Sequence, residues 1–158
     1  KEDKPLNITD GVDVISGGEG DDTINGKSGS DTLDGGTGKD TMTGGSGTDT
    51  FIIRSGDGST TLANAVVITD FITDASMAET IGLVGLSFSQ LTIEQGTGDY
   101  ANHTLISITA TGEYLLILQN TTASEVTDIH FSIVNESNSN ESNKEANSNR
   151  DNDDAWHL

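Results

Sequence analysis

The sequence contains no cysteine, so neither disulfide bonds nor thiolate-held zinc can brace it. Lysine and arginine number 7 against 26 aspartates and glutamates, a formal charge of −19. That excludes nucleic acid as a partner, because phosphate backbones are held by clustered positive charge. Only 32% of the residues are apolar and 4% aromatic, which under-supplies the core of an enzyme of 158 residues. The longest apolar run, 115–118, is far shorter than the roughly 20 residues that cross a bilayer, so no transmembrane segment is expected. Lys1, Glu2, Asp3 and Lys4 lack the apolar stretch of a cleavable signal. The expectation is a soluble chain, and its leading lysine points to a mature fragment or a piece of a longer protein.

Glycine is plentiful but unevenly placed: fourteen of 19 lie in residues 1–58. That part repeats every nine residues, as GGEGDDTIN (17–25), GKSGSDTLD (26–34), GGTGKDTMT (35–43) and GGSGTDTFI (44–52), with a blunter copy, ITDGVDVIS, at 8–16. Position six is aspartate in all five copies (Asp13, Asp22, Asp31, Asp40, Asp49), and position eight is apolar in all five (Ile15, Ile24, Leu33, Met42, Phe51). A flexible acidic linker has no reason to hold two residue types at fixed offsets. Beyond about residue 60, β-branched and apolar stretches at 66–72, 80–84, 91–94, 104–109, 114–118 and 129–134 read as short strands, although by periodicity alone 114–118 equally suits a buried helical turn. Residues 135–158 are rich in Asn, Ser and acids and are expected to be a disordered polar tail.

Nine residues cannot bury a face alone, so each unit must stack on its copies. Six positions serve as turn material and three as a minimal strand whose middle side chain, at position eight, points inward. Two repeats then complete one coil, and alternate loops lie over one another. Rungs about 4.8 Å apart bring stacked aspartates together, and carboxylates that close repel unless a cation separates them. Oxygen ligands without thiolate or imidazole specify a hard cation, and a flexible cage of oxygens favours calcium over magnesium.

The consensus Gly-Gly-x-Gly-x-Asp-x-apolar-x resembles the calcium-binding nonapeptide of the RTX (hemolysin-type) family, whose repeats build a parallel β-roll. The likeness is strong over 8–52 and looser through 51–58, 68–71, 81–83 and 128–134. The resemblance implies that positions two, four and six of one loop face positions one, three and six of the loop two repeats later. One set would be Thr9, Gly11 and Asp13 with Gly26, Ser28 and Asp31. A second would be Gly18, Gly20 and Asp22 with Gly35, Thr37 and Asp40, and a third Lys27, Gly29 and Asp31 with Gly44, Ser46 and Asp49. A fourth would take Gly36, Gly38 and Asp40 with Ile53, Ser55 and Asp57, where the register breaks. Ile8 and Thr9 blunt the first loop, and Lys27 stands where glycine is usual.

The resemblance further implies about three to four Ca2+ ions, export by the type I secretion machinery, and an extracellular location for a secreted bacterial protein. The implied fold is all-β: a parallel β-roll, a solenoid akin to a β-helix, with a strand-rich C-terminal cap. Residues 1–134 would form the module, with repeats at 8–52 and a flank at 53–134. The expected function is calcium-dependent folding, export and stability of a parent protein. A calcium-dependent polysaccharide-binding module is the first alternative, for which Tyr100, Tyr114 and Trp156 are the available aromatics. A C-terminal fragment of a secreted protease or lipase is the second. No catalytic constellation is present, so the chain is not expected to be an enzyme itself. Gly26-Lys27-Ser28 lacks the earlier glycine of a phosphate-binding loop, and His103, His130 and His157 have no metal-binding spacing.

Overall fold

The computed structural model describes residues 5–135; the expected polar tail lies, apart from Asn135, outside the described residues. The strands are β1 (Pro5–Asn7), β2 (Val14–Ser16), β3 (Thr23–Asn25), β4 (Thr32–Asp34), β5 (Thr41–Thr43) and β6 (Thr50–Arg54), followed by β7 (Val66–Ile68), β8 (Thr80–Val84), β9 (Leu91–Gln95), β10 (Thr104–Ile108), β11 (Tyr114–Leu118) and β12 (Phe131–Ile133). Among the described residues the only helices are single 3-10 turns, so none is long and apolar enough to cross a membrane.

Successive short strands alternate between two sheets. One runs β1-β3-β5-β7-β11-β10-β9 and the other β12-β8-β6-β4-β2. Within the repeats every pairing is parallel and joins a residue to its equivalent two repeats on: Ile15 lies beside Leu33, Ile24 beside Met42, and Leu33 beside Phe51. The chain is therefore a parallel β-roll of two repeats per coil. Position eight faces inward as expected, with Ile24, Leu33, Met42 and Phe51 fully buried and Ile15 nearly so. The threonines at position seven are exposed at Thr23 and half-exposed at Thr32, Thr41 and Thr50.

The flank continues both sheets. β7 joins β5 with Met42 beside Ile68, and β8 joins β6 with Phe51 beside Ile81, so the coil widens beyond two repeats, first on one sheet and then further on the other. β11 adds parallel to β7, after which β10 and β9 turn antiparallel and finish the sheet. Here burial is two-sided: all five residues of β10 are buried, and Leu105 and Ile117 form a second small cluster with Ala65 on the outer face. Each fully buried aliphatic side chain contributes about 1.5–3 kcal/mol, so this cap carries most of the apolar cohesion.

Two strand expectations are corrected. The strand expected over 66–72 ends at Ile68, because the chain turns to place the Asp70 carboxylate on the Gly44 and Gly45 amides. The strand expected over 129–134 begins only at Phe131; Asp128–His130 form a 3-10 turn and Ile129 is 65% exposed.

Candidate metal centre

The loops between strands form two stacks along the roll. The odd stack carries Asp13, Asp31 and Asp49, and the even stack Asp22 and Asp40. Each upper aspartate reaches one carboxylate oxygen to the loop beneath: Asp31 Oδ1 accepts the Asp13 N–H at 2.8 Å, Asp40 Oδ1 the Asp22 N–H at 2.9 Å, and Asp49 Oδ1 the Asp31 N–H at 2.9 Å. Reciprocal backbone bonds lock the loops in register. The Gly20 amide donates to Thr37 O at 2.9 Å and the Thr37 amide to Gly18 O at 2.9 Å, while the Gly29 amide donates to Ser46 O at 2.9 Å and the Ser46 amide to Lys27 O at 2.7 Å.

The second oxygen of each carboxylate has a different fate. Asp31, Asp40 and Asp49 are at most 1% exposed, and their Oδ2 atoms are buried with no N–H or hydroxyl donor; Asp49 alone has another carboxyl, Glu79, within hydrogen-bonding reach. Such an atom costs about 1–3 kcal/mol, and more when charged, so buried anionic oxygens call for a cation. Burial, opposed by the Asp22 amide and reinforced by the charges of Asp22, Asp57 and Asp21, pushes the Asp40 carboxyl up to about 6. Burial likewise raises Asp49, against the hydrogen bonds from the Asp31 amide and the Glu79 carboxyl and with the charges of Asp31 and Asp70 adding to it. Two unit charges one rung apart, about 4.8 Å, repel by about 3 kcal/mol at an effective dielectric of about 20.

Glycine makes the space between loops. A Cβ on Gly26 would lie 2.6 Å from both Asp31 Oδ2 and the Gly44 carbonyl oxygen, and one on Gly17 would lie 2.6 Å from both Asp22 Oδ2 and Gly35 O. A carboxylate from one loop and a position-one carbonyl from the next therefore border the same small space. Position two requires positive φ: Gly18, Gly36 and Gly45 lie at 99°, 89° and 94°, and Lys27 adopts 73° in the same place. Among the described residues no three His, Asp or Glu side chains gather as a metal cluster. Oxygen ligands here would be mostly main-chain carbonyls with two carboxylates, a hard set that suits calcium.

The expected residues are thus brought together unequally. Loops 17–22 and 35–40 meet closely, as do loops 26–31 and 44–49. The first loop meets its partner through Asp13 and Asp31, but Thr9 Oγ1 donates to Asp13 Oδ2 at 2.7 Å and also accepts the Gly11 N–H, turning that loop inward on itself. In the fourth set, Ile53 is a buried strand residue of β6 beside Leu83 and not a loop residue. Asp57 nevertheless lies close enough to raise Asp40 by its charge. His130 is buried, taking the Thr127 amide on Nδ1 and lying 3.1 Å from Thr73 O through Nε2, and His103 accepts the Asn120 amide; both are structural.

One functional-looking residue escaped the repeat frame. Glu79 is fully buried within hydrogen-bonding reach of Asp49, and burial, opposed by the Ile72 amide and reinforced by the charges of Asp70 and Asp49 and the hydrogen bond with Asp49, pushes its carboxyl up to about 8. Its signal is visible once sought: Glu79-Thr80-Ile81 repeats the acid-threonine-apolar order of Asp31-Thr32-Leu33.

Stacked glycine-aspartate loops on a two-sheet parallel coil define a calcium-binding roll. Residues 8–42, 16–51 and 26–62 match the model of the RTX calcium-binding nonapeptide repeat family (4 copies). The fold is similar to two solved structures from Azotobacter vinelandii mannuronan C5-epimerase. The AlgE6R3 subunit is 28% identical with a TM-score of 0.59, covering 82% of this chain and 77% of that one. The AlgE6R2 subunit is 26% identical with a TM-score of 0.54, covering 80% and 89%. No curated protein matches the sequence.

Proposed function

We propose that the chain is a calcium-gated folding module of a secreted protein, with ions held between successive loops of each stack. The observation that carries this reading is the set of buried Oδ2 atoms of Asp31, Asp40 and Asp49 that no N–H or hydroxyl donor reaches. In the even stack, Gly18, Gly20 and Asp22 would face Gly35, Thr37 and Asp40; in the odd stack, Lys27, Gly29 and Asp31 would face Gly44, Ser46 and Asp49. Thr9, Gly11 and Asp13 with Gly26, Ser28 and Asp31 would make a weaker set, because the Thr9 hydroxyl already occupies Asp13. Gly36, Gly38 and Asp40 with Asp57 would make an incomplete one. Bound calcium supplies positive charge that the oxygens share and that hydrogen-bond donors do not provide there.

Folding follows from the charge balance. A formal charge of −19 and one buried apolar side chain per repeat leave the metal-free roll opposed by its own field. About three to four ions at extracellular affinities of about 10⁻⁴ to 10⁻³ M would keep residues 1–134 open in cytosol and close them outside. That suits export of an unfolded chain by type I machinery followed by folding in the extracellular medium. Any catalytic part would belong to the parent. The test is a calcium titration of the full chain followed by circular dichroism, with magnesium as control. A steep, cooperative gain of β signal with calcium alone is expected; the same spectrum in chelator and in calcium would overturn the reading.

A polysaccharide-binding role is the second reading, favoured by the two epimerase subunits whose fold this chain shares. Tyr100 and Tyr114 are half-buried against the outer cluster and offer no open stacking platform, while Trp156 lies outside the described residues. Binding to mannuronan, measured by calorimetry with calcium and again in chelator, separates the readings.

A further inference from the structure

The odd stack does not end with the last repeat. β8 lies beside β6 with Thr80 opposite Thr50, and the Thr80 amide donates to Asp49 O at 3.0 Å, as the Thr50 amide does to Asp31 O at 2.8 Å and the Thr32 amide to Asp13 O at 2.9 Å. Glu79 therefore occupies the next aspartate place above Asp49, although the chain reaches it by a longer excursion than two repeats. The segment bearing it is tied down at both ends. Asp70 accepts the Gly44 and Gly45 amides at 2.9 and 2.8 Å, and Glu79 exchanges two bonds with Ile72: its Oε2 accepts the Ile72 N–H at 2.9 Å and its own amide donates to Ile72 O at 3.2 Å.

What remains is unbalanced. Glu79 Oε1 and Asp49 Oδ2 are buried with no N–H or hydroxyl donor to either, both residues are 0% exposed, and the two carboxyl groups lie within hydrogen-bonding reach of each other, so a proton or a cation must stand between them. The ion pair described for this chain, Arg54 with Asp34 at 2.7 Å, lies elsewhere, so no basic side chain balances the pair among the described residues. The loop beneath, 44–49, has the form of the loop that would bind from below in the even stack, with positive φ at Gly45 (94°) and Gly47 (120°) as at Gly18 (99°) and Gly20 (112°).

We infer that Asp49 and Glu79 are the carboxylate pair of an additional hard-cation site, of calcium type, at the junction between the last repeat and the cap. Asp70 anchors the overlying segment through the Gly44 and Gly45 amides, leaving Asp49 and Glu79 as the carboxylates at the ion. The inference rests on the calcium-folding reading and extends it: the same kind of ion that holds the repeats together would weld them to the apolar flank. A glutamate suits this place because the overlying segment is not a nonapeptide loop, and one extra methylene lets the carboxyl reach down from it.

The test counts ions on the full chain by equilibrium dialysis against calcium, comparing wild type with Glu79→Gln and Glu79→Asp. Glu79→Gln is expected to bind one ion fewer, and its folding midpoint to rise about tenfold in calcium, the loss of one site's linkage. Glu79→Asp, retaining the charge, is expected to keep the full count with the last ion weakened. If the two carboxyls instead share a proton, Glu79→Gln imitates the protonated acid and keeps both count and midpoint, which overturns the site while leaving the repeat sites intact. A wild-type chain that takes up no calcium sinks both readings together. Should Glu79→Gln fail to fold, Glu79→Asp decides: a weakened last ion supports the site, and affinities identical to wild type at every step overturn it.

Discussion

The repeats and the cap bury different things. Along 8–52 each nine-residue unit contributes one inward apolar side chain and one aspartate, and most of those aspartates are as buried as the apolar residues. In β10 and β11 the chain buries four or five residues of every strand and covers both faces of the sheet. On the reading proposed above, one half is cohesive in water unaided, and the other only when its carboxylates are neutralised. A fold assembled this way has a conditional end and an unconditional end, and the ladder of parallel pairings from β6 to β8 and from β5 to β7 passes order between them.

The sharpest way to separate the two ends is pH in the absence of metal, where the largest effect is expected. Asp40 and Glu79 are raised by burial to about 6 and about 8, above their ordinary values of 3.8 and 4.5. The folded state then holds protons that the unfolded chain has released, so stability falls as pH rises from the unfolded values through the folded ones. In chelator the β signal should be greatest near pH 4 and decline toward pH 8, and with saturating calcium the trend should reverse, because protons compete for the same oxygens. A metal-free spectrum unchanged from pH 4 to 8 would mean that the carboxylates are not confined as described.

Next in size are paired substitutions. Leu116→Ala in the cap core should cost about 2–5 kcal/mol, similar at every calcium concentration that keeps the chain folded. Asp31→Asn, in the carboxylate shared by the first and third sets, should cost at least about 1.4 kcal/mol, seen as a tenfold higher calcium midpoint. Urea unfolding at several fixed calcium levels distinguishes them. A calcium-dependent loss for Leu116→Ala equal to that for Asp31→Asn would erase the contrast between the two ends.

Glycine gives a smaller and more local comparison. At Gly36, φ is 89° and an added Cβ would run into the Gly18 carbonyl, whereas a Cβ at Gly56 meets nothing within 4 Å and φ there is not positive. Gly36→Ala should therefore destabilise the calcium-bound form by about 1–2 kcal/mol or more, and Gly56→Ala should stay within about 0.5 kcal/mol. Thermal melts in saturating calcium would show it; equal losses would mean that the close approach of loops 18 and 36 is not maintained.

The roll itself was readable because two residue types recur at fixed offsets: Ile24, Leu33 and Met42 set the inward face, and their spacing set the coil of two repeats. The strand 80–84 was equally plain, whereas 114–118 was ambiguous in sequence, because so short an apolar run suits a buried helical turn as well as a strand; its pairing with β7 and β10 decides it. Glu79 was hidden because its signal is a triplet without the preceding glycines, and only the pairing of β6 with β8 reveals its level in the stack. The early end of β7 was hidden for a related reason. Phe71 and Ile72 look like strand residues, but the Asp70 carboxylate satisfies two loop amides and redirects the chain, a tertiary demand that no local pattern announces. Ile129 misled in the opposite sense, being apolar yet exposed in a turn.

Lys27 supplies the finest distinction between backbone and charge. It holds a φ of 73° where Gly18, Gly36 and Gly45 stand in the other full repeats, and it is exposed while its carbonyl accepts the Ser46 amide at 2.7 Å. A non-glycine residue there costs about 1–2 kcal/mol, but glycine would also gain about 0.5–1 kcal/mol of freedom in the unfolded chain. The two nearly cancel, so Lys27→Gly should stabilise the calcium-bound form by at most about 1 kcal/mol. Removing the ammonium should also tighten calcium binding in the odd stack, because one cation no longer competes near the anionic loops. In chelator the sign should flip, since one of only 7 basic residues opposing 26 acidic ones is lost. Urea midpoints with calcium and calcium midpoints without urea separate the two contributions; a loss above about 1 kcal/mol in saturating calcium would show that the lysine side chain holds the loop in a way its backbone angle does not explain.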